Sequence, residues 1–461
     1  MNHKGRIGIL LLLLVVVFLD ARFSILARPT HGGRDSRRVS SNQHRVSMND
    51  WPHWRGPFLN GSSDEKDLPG SWSQTENIAW VSPLPGPSAA TPVICKGRVF
   101  VSSTDSQSDD LLALCFDARS GRELWRKRLG ASSRNVPRNN MATPSPTTDG
   151  ERVYFMFGSG ELCGLDFDGN ILWLRNIETE YGNISLKYGY SSSPLVWGGK
   201  LYVTVLRCDI PWRAPESDEP LDSFLLAVDP ATGKDLWKHV RATDALEESF
   251  DSYASPIVSN SMGRTEIILI GADYVTAHDP ATGREFWRYG YAQEKDAHWR
   301  LIPSVVTGAG LVFGVQPRGT NDLFALKSGG TGTLSRDDVA WVFDGPTPDA
   351  STPLYYKGNL YVTDGIRNGK VVTCLDAKTG RKKWQGVIGG NAPWRASLTA
   401  ADDKLYCINE AAQAVVLAAG DEEFRILRRI DMEDKPVQAS IAIADGHLFI
   451  RTASKLFCVG N

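Results

Sequence analysis

The chain has 461 residues, with 51 Lys+Arg against 53 Asp+Glu, 43 Gly, 25 Pro and 42% hydrophobic residues, a composition that fits a turn-rich folded protein and excludes a disordered one. Residues 1–50 carry 8 Lys+Arg against 3 Asp+Glu, leaving 43 against 50 in residues 51–461; a mildly acidic folded part excludes non-specific nucleic-acid binding, which rests on neutralising phosphates. Trp is the compositional oddity, at 14 against 13 Tyr, 8 His and 7 Cys.

In chain order, Lys4 and Arg6 precede an apolar run from Ile7 to Leu19, and Ile25-Leu26-Ala27 offers a cleavage site. The run of 13 residues falls short of the ~20 that span a bilayer as a helix. Residues 1–27 are read as an export signal, with an uncleaved anchor as the alternative because Asp20 and Arg22 interrupt the site. The mature chain is then expected in the periplasm or cell envelope of a bacterium, as a monomer with no further membrane segment. Residues 28–49 are polar, rich in Arg and Ser, and read as a flexible spacer ahead of a single domain over 50–461. The segment Asp50-Trp51-Pro52-His53-Trp54-Arg55-Gly56-Pro57 is expected to pack its aromatics over one end of that domain, with a docking motif as the alternative.

Self-similarity organises the rest of the chain. The spacing Asp-x3-Gly-x3-Trp occurs at Asp117, Gly121, Trp125; at Asp229, Gly233, Trp237; at Asp279, Gly283, Trp287; and at Asp376, Gly380, Trp384. A shortened copy stands at Asp166, Gly169, Trp173. An Asp side chain can accept from the backbone N–H groups ahead of it and Gly supplies a positive φ, so each copy is a hairpin turn. The Trp then sits at a fixed place on the following strand, where it can dock against the neighbouring repeat.

Upstream of each hairpin a Ser/Thr-rich stretch leads into a strand, a Gly or Asp turn, and a second strand. These stretches open at Thr91-Pro92, Thr143-Pro144, Ser193-Pro194, Ser255-Pro256, Ile302-Pro303, Thr352-Pro353, Ser397-Leu398 and Ser440-Ile441. Alternation such as Lys200-Leu201-Tyr202-Val203-Thr204 is strand periodicity. Four strands per unit, with Trp80, Trp125, Trp173, Trp237, Trp287, Trp341 and Trp384 spaced by 43 to 64 residues, predict an all-β propeller. The widest interval holds an insertion, Arg207 to Ser223, read as a surface loop. The last unit ends at Val459 without a Trp strand, and Ile78-Ala79-Trp80-Val81 has no strands before it. Pairing the two completes an eighth blade from both ends of the chain and leaves no open edge.

Seven Cys, at 95, 115, 163, 208, 374, 407 and 458, lie mostly in apolar runs and read as buried thiols. No CxxC, CxxCH, adjacent Cys pair, HExxH or clustered His at metal-ligand spacing occurs, so no metal site is expected. Glu247-Glu248 and Asp273-Tyr274 read as solvated.

The Asp-x3-Gly-x3-Trp copies resemble the pyrroloquinoline-quinone-like β-propeller repeat family, over residues 72–461, and no repeat Trp is followed by the Asp of a WD40 repeat. The segment at 50–57 resembles the one preceding the ring in bacterial envelope members. The resemblance implies an eight-bladed ring, in a superfamily that holds quinone-dependent alcohol dehydrogenases, the propeller subunit of the outer-membrane β-barrel assembly machinery, and sensor ectodomains. The dehydrogenases hold their quinone under an adjacent-cysteine disulfide ring and use Ca²⁺; this chain has no such pair. No catalytic residue is assigned and no cofactor is expected, with pyrroloquinoline quinone and Ca²⁺ only if the chain is a quinone enzyme. The expected function is a binding or scaffold module for envelope proteins; the alternatives are a sensor of a small saccharide, peptide or other molecule, and a quinoprotein dehydrogenase.

In a propeller the loops leading into the inner strands converge at one end of the axis. The candidate ligand or partner residues are therefore Arg134, Arg138, Asn139, Asn140, Tyr190, Tyr253, His298, Trp299, Arg300, Trp394 and Arg395, aromatic faces with donors beside them. The competing reading has Trp299 and Trp394 plugging the channel while Arg300 and Arg395 pair with acids of the next blade.

Overall fold

The computed structural model describes residues 46–132, 136, 138–184, 186–207, 222–292, 294–317, 322–366, 370–420 and 422–460. The leader, Arg134, Cys208 and Trp212 lie outside them. Eight antiparallel sheets follow one another around an axis. Blade 1 runs Val93–Cys95, Arg98–Thr104, Asp110–Asp117 and Glu123–Ala131 from the axis outward. Blade 3 repeats the order with Leu195–Trp197, Lys200–Val205, Phe224–Val228 and Asp235–Val240. Blade 8 joins Ala442–Ala444, His447–Arg451 and Lys455–Val459 to the N-terminal strand Ile78–Pro83, with Trp80 opposite Cys458. The ring closes as the repeat count predicts.

Burial explains the strand sequences. Third strands are covered on both faces by neighbouring blades, so Phe224–Val228 is buried at every residue. Outer strands alternate, as in Ile78–Pro83, and the inward-facing position holds the Trp. The six described cysteines are buried thiols within these layers.

Each Asp turn forms from its own residues. Asp229 Oδ1 accepts from the N–H of Ala231 (2.8 Å) and Thr232 (2.9 Å), and Gly233 closes the turn at φ +71°. The indole of the preceding blade lies on that glycine: a Cβ at Gly233 would stand 2.6 Å from the Trp173 ring, and Trp173 Nε1 donates to Pro230 O at 2.9 Å. Trp80 on Gly121, Trp125 on Gly169, Trp237 on Gly283 and Trp341 on Gly380 repeat the arrangement. Trp384 donates to Gly420 O and packs on Phe424. Trp287 departs from the pattern because blade 5 lacks the Asp turn. There a two-residue strand, Gly332–Thr333, pairs parallel to the outer edge of blade 4, and the buried Trp287 indole donates to Glu266 Oε1 at 3.1 Å.

A second closure runs round the axis. At the head of every inner strand a hydroxyl accepts the backbone N–H of the equivalent residue in the preceding blade. The series is Thr91, Ser145, Ser193, Ser255, Ser304, Thr352, Ser397, Ser440 and back to Thr91, at 2.8–3.2 Å. In blades 2 and 5 the girdle residues are Ser145 and Ser304, each slightly C-terminal to the Thr143-Pro144 and Ile302-Pro303 starts. Several girdle residues precede Pro, whose fixed ring holds the preceding residue extended and brings no N–H of its own to be satisfied.

The axis is threaded from the end opposite the inner-strand loops. Trp51 pairs with Ile94, Ser62 bridges to Ala400, and between them Arg55 reaches inward. Its guanidinium donates to Leu398 O (2.9 Å), Pro353 O (2.8 Å) and Asn60 O (2.9 Å), and burial pushes its pKa down to about 9. Of the aromatics of the 50–57 segment, Trp51 and His53 are buried and Trp54 is half-buried.

Candidate functional site

Above the hydroxyl girdle the loops entering the inner strands meet at a polar mouth. Arg300 is its centre. Its Nε stands 3.6 Å from Glu248 Oε1, its Nη2 3.9 Å from Asp349 Oδ2, and its guanidinium lies 4.9 Å from the centroid of the Tyr188 ring. Lys187 Nζ donates to Glu248 Oε2 at 2.8 Å, and this bond holds the ammonium pKa above its usual value. Tyr253 hydroxyl accepts from Tyr188 N (3.2 Å), Tyr188 O accepts from Asn139 Nδ2 (2.9 Å), and burial beside Asp251 raises the Tyr253 pKa. On the other side Arg395 pairs with Glu410, whose Oε1 also accepts from Gln438 Nε2 (3.0 Å); that amide stands 3.4 Å from Arg138 O. Loops entering seven blades, the second to the eighth, are linked this way.

The structure therefore brings Arg138, Asn139, Tyr253, Arg300 and Arg395 together. The exposed His298 and half-buried Trp299 stand in the loop of Arg300, with Trp299 N donating to Ser249 Oγ at 2.8 Å. Asn140 caps its own turn through Ala142 N. Tyr190 and Trp394 are placed elsewhere. Both are buried between blades, Tyr190 hydroxyl donating to Thr204 O (2.6 Å) and Trp394 Nε1 to Gly389 O (2.8 Å). What closes the axis is the 50–68 segment with Arg55, not a pair of indoles. Arg134 lies outside the described residues.

Sequence reasoning missed Glu248, Asp349, Glu410 and Gln438. Glu248, read as solvated, is only 4% exposed, and Asp273 is 1% exposed with burial raising its pKa. Glu248 Oε1 and Arg300 Nε are both buried without a hydrogen bond, separated by the 3.6 Å gap. The two groups meet as an ion pair without a hydrogen bond between them.

The family model described as outer membrane protein assembly factor BamB matches residues 66–209 and 271–422, more than half of the chain. The chain belongs to this family. It is 25% identical over 238 residues to a tetrathionate hydrolase of Acidithiobacillus ferrooxidans, a match over 50% of this chain and 37% of that relative, so the chain spans well under half of the relative's length. Its fold is similar to quinohemoprotein alcohol dehydrogenase from Comamonas testosteroni (TM-score 0.64, 12% identity, 92% of this chain and 84% of that one). It is likewise similar to a europium-containing methanol dehydrogenase (0.63, 10%, 89% and 91%) and to BamB from Moraxella catarrhalis (0.55, 12%, 83% and 99%).

The dehydrogenase neighbours raise the question of a quinone. Pyrroloquinoline quinone is a tricarboxylate and needs surplus positive charge, with oxygen ligands to spare for a cation. In the mouth Lys187, Arg300 and Arg395 each face a carboxylate, and Asp251 adds another. Glu248, the most central acid, is already shared between Lys187 and Arg300. These residues do not fit the quinone or its metal.

Proposed function

We propose that this chain is an exported binding propeller of the bacterial cell envelope, a non-catalytic scaffold that engages a protein partner at the loop mouth. The observation that carries this reading is the charge state of the mouth. Its central cations are each paired with a carboxylate, which leaves a charge-paired, hydrogen-bonding face rimmed by Trp299, His298 and Arg138. Such a face, an aromatic with Arg beside it and polar groups around it, suits protein recognition. Membership of the assembly-factor family supports the scaffold role. The leader supports export, and among the described residues no helix is long and apolar enough to cross a membrane.

The test is site-specific photocross-linking in intact cells, with the reactive residue at Trp299 or Arg138 and a control at Val387, exposed on the outer strand of blade 6. The expected result is a discrete protein adduct at the two mouth positions and none at Val387. Adducts at Val387 alone, or dye reduction by the purified chain loaded with quinone and Ca²⁺, would overturn the proposal.

A further inference from the structure

The seam between blades 3 and 4 differs from its neighbours. Trp80, Trp125, Trp173, Trp341 and Trp384 each donate an indole N–H to a backbone carbonyl, whereas Trp237 Nε1 is buried without a partner. Two residues further along the same strand, and so on the same face, stands His239. Opposite it, His278 ends the third strand of blade 4 and Glu285 opens the outer strand, the two being register partners. One ligand atom from each of these side chains lies within 4.8 Å of the others.

The imidazole of His278 is already set up as a ligand. Its Nδ1 faces Gly283 O at 3.1 Å, and because a carbonyl only accepts, the proton resides on Nδ1. Nε2 then presents a lone pair, met at 2.9 Å by Thr276 Oγ1, which also accepts from Arg241 Nε at 2.9 Å. A histidine whose second nitrogen donates to a backbone carbonyl is the arrangement that orients metal-bound imidazoles. Thr276 keeps its bond to Arg241 if an ion takes its place at Nε2.

We infer that His239, His278 and Glu285 form a site for a divalent transition-metal ion that bridges blades 3 and 4. Two nitrogens and one carboxylate suit Zn²⁺, Ni²⁺ or Cu²⁺ and not the oxygen-seeking Ca²⁺ or Mg²⁺. Zn–N bonds of ~2.05 Å in a tetrahedron place ligand atoms about 3.4 Å apart. The half-buried His239, on an edge strand, closes that difference by rotating its side chain. Arg288 opposes the ion by holding both oxygens of Glu285, Nε on Oε1 and Nη2 on Oε2 at 2.8 Å, while Arg241 adds a second cation nearby. Binding is therefore weaker than in a dedicated structural zinc site, and it responds to removal of Arg288.

The test is titration of the full chain, first stripped with chelator, with ZnCl₂ by calorimetry and with Co²⁺ by visible absorbance. One ion per chain is expected, with a raised melting temperature. His239→Ala and Glu285→Gln are expected to weaken binding at least about tenfold, Arg288→Gln to tighten it, and His298→Ala, on the exposed mouth loop, to leave it unchanged. His239 is half-buried on an edge strand, so its variant tests binding without removing a core residue. Absence of stoichiometric binding by the wild-type chain, or unchanged affinity in His239→Ala, overturns the site.

Discussion

The docking of an indole on the next blade's glycine, seen for Trp80, Trp125, Trp173, Trp237 and Trp341, can be separated from the backbone demand of the turn, because two glycines share one positive φ. Gly233 and Gly97 both have φ +71°; a Cβ at Gly233 meets the Trp173 ring at 2.6 Å, and a Cβ at Gly97 meets nothing within 4 Å. Replacing either by Ala incurs the left-handed backbone term, about 1–2 kcal/mol. At Gly233 the methyl must also displace the indole. That forfeits the Trp173 Nε1 bond to Pro230 O, about 0.5–1.5 kcal/mol, and forces repacking of the seam, about 1–3 kcal/mol. Gly233→Ala is therefore expected to lose roughly 2–4 kcal/mol more than Gly97→Ala. Urea denaturation followed by Trp fluorescence measures both, the midpoints being converted through the common slope. Equal losses in the two variants would refute the docking argument and leave the glycine with a purely conformational role.

Other consequences are equally direct. Ser255→Ala leaves Ser193 N buried without its acceptor and should cost about 1–3 kcal/mol in thermal or urea unfolding, whereas Ser255→Thr, which keeps the hydroxyl, should recover most of the loss. Arg300→Ala leaves buried Glu248 with Lys187 alone and should lower stability by about 1–3 kcal/mol while abolishing mouth cross-links; unchanged cross-linking would remove Arg300 from the binding face. Burial, helped by the Arg55 guanidinium, pushes the His53 pKa down to about 3, so the folded state favours the neutral ring. Its stabilising contribution is complete above the unfolded value of about 6.5 and is lost as pH falls from there toward 3. A pH series of melting temperatures should show a shallower acid slope in His53→Gln.

How much was legible in advance follows the range of each interaction. The turn at Asp229 is made by hydrogen bonds two and three residues ahead, so spacing in the chain encodes it, and its recurrence encodes the blade period and the count that closes the ring. The hydroxyl girdle was half visible as a Ser/Thr-Pro stretch. Its register in blades 2 and 5 was not: the girdle hydroxyl there stands two residues after the start of the stretch, on Ser145 and Ser304, a position set by how the strand enters the sheet.

The mouth was legible only as a set of loops. Lys187 and Glu248 are 61 positions apart and Arg55 and Leu398 are 343 apart, and no local pattern marks either pair. Glu247-Glu248 reads as two solvated acids until the fold buries the second one, and Trp394 reads as a binding aromatic until blade packing covers it. The sequence by itself determined the repeat, the docking tryptophans and the eight-bladed ring, since these rest on contacts that recur at fixed spacing. Only the tertiary structure decided which charges neutralise one another, what fills the axis, and that two histidines and a glutamate meet at one seam. Those juxtapositions are single events between different blades, and a repeat pattern holds no record of them.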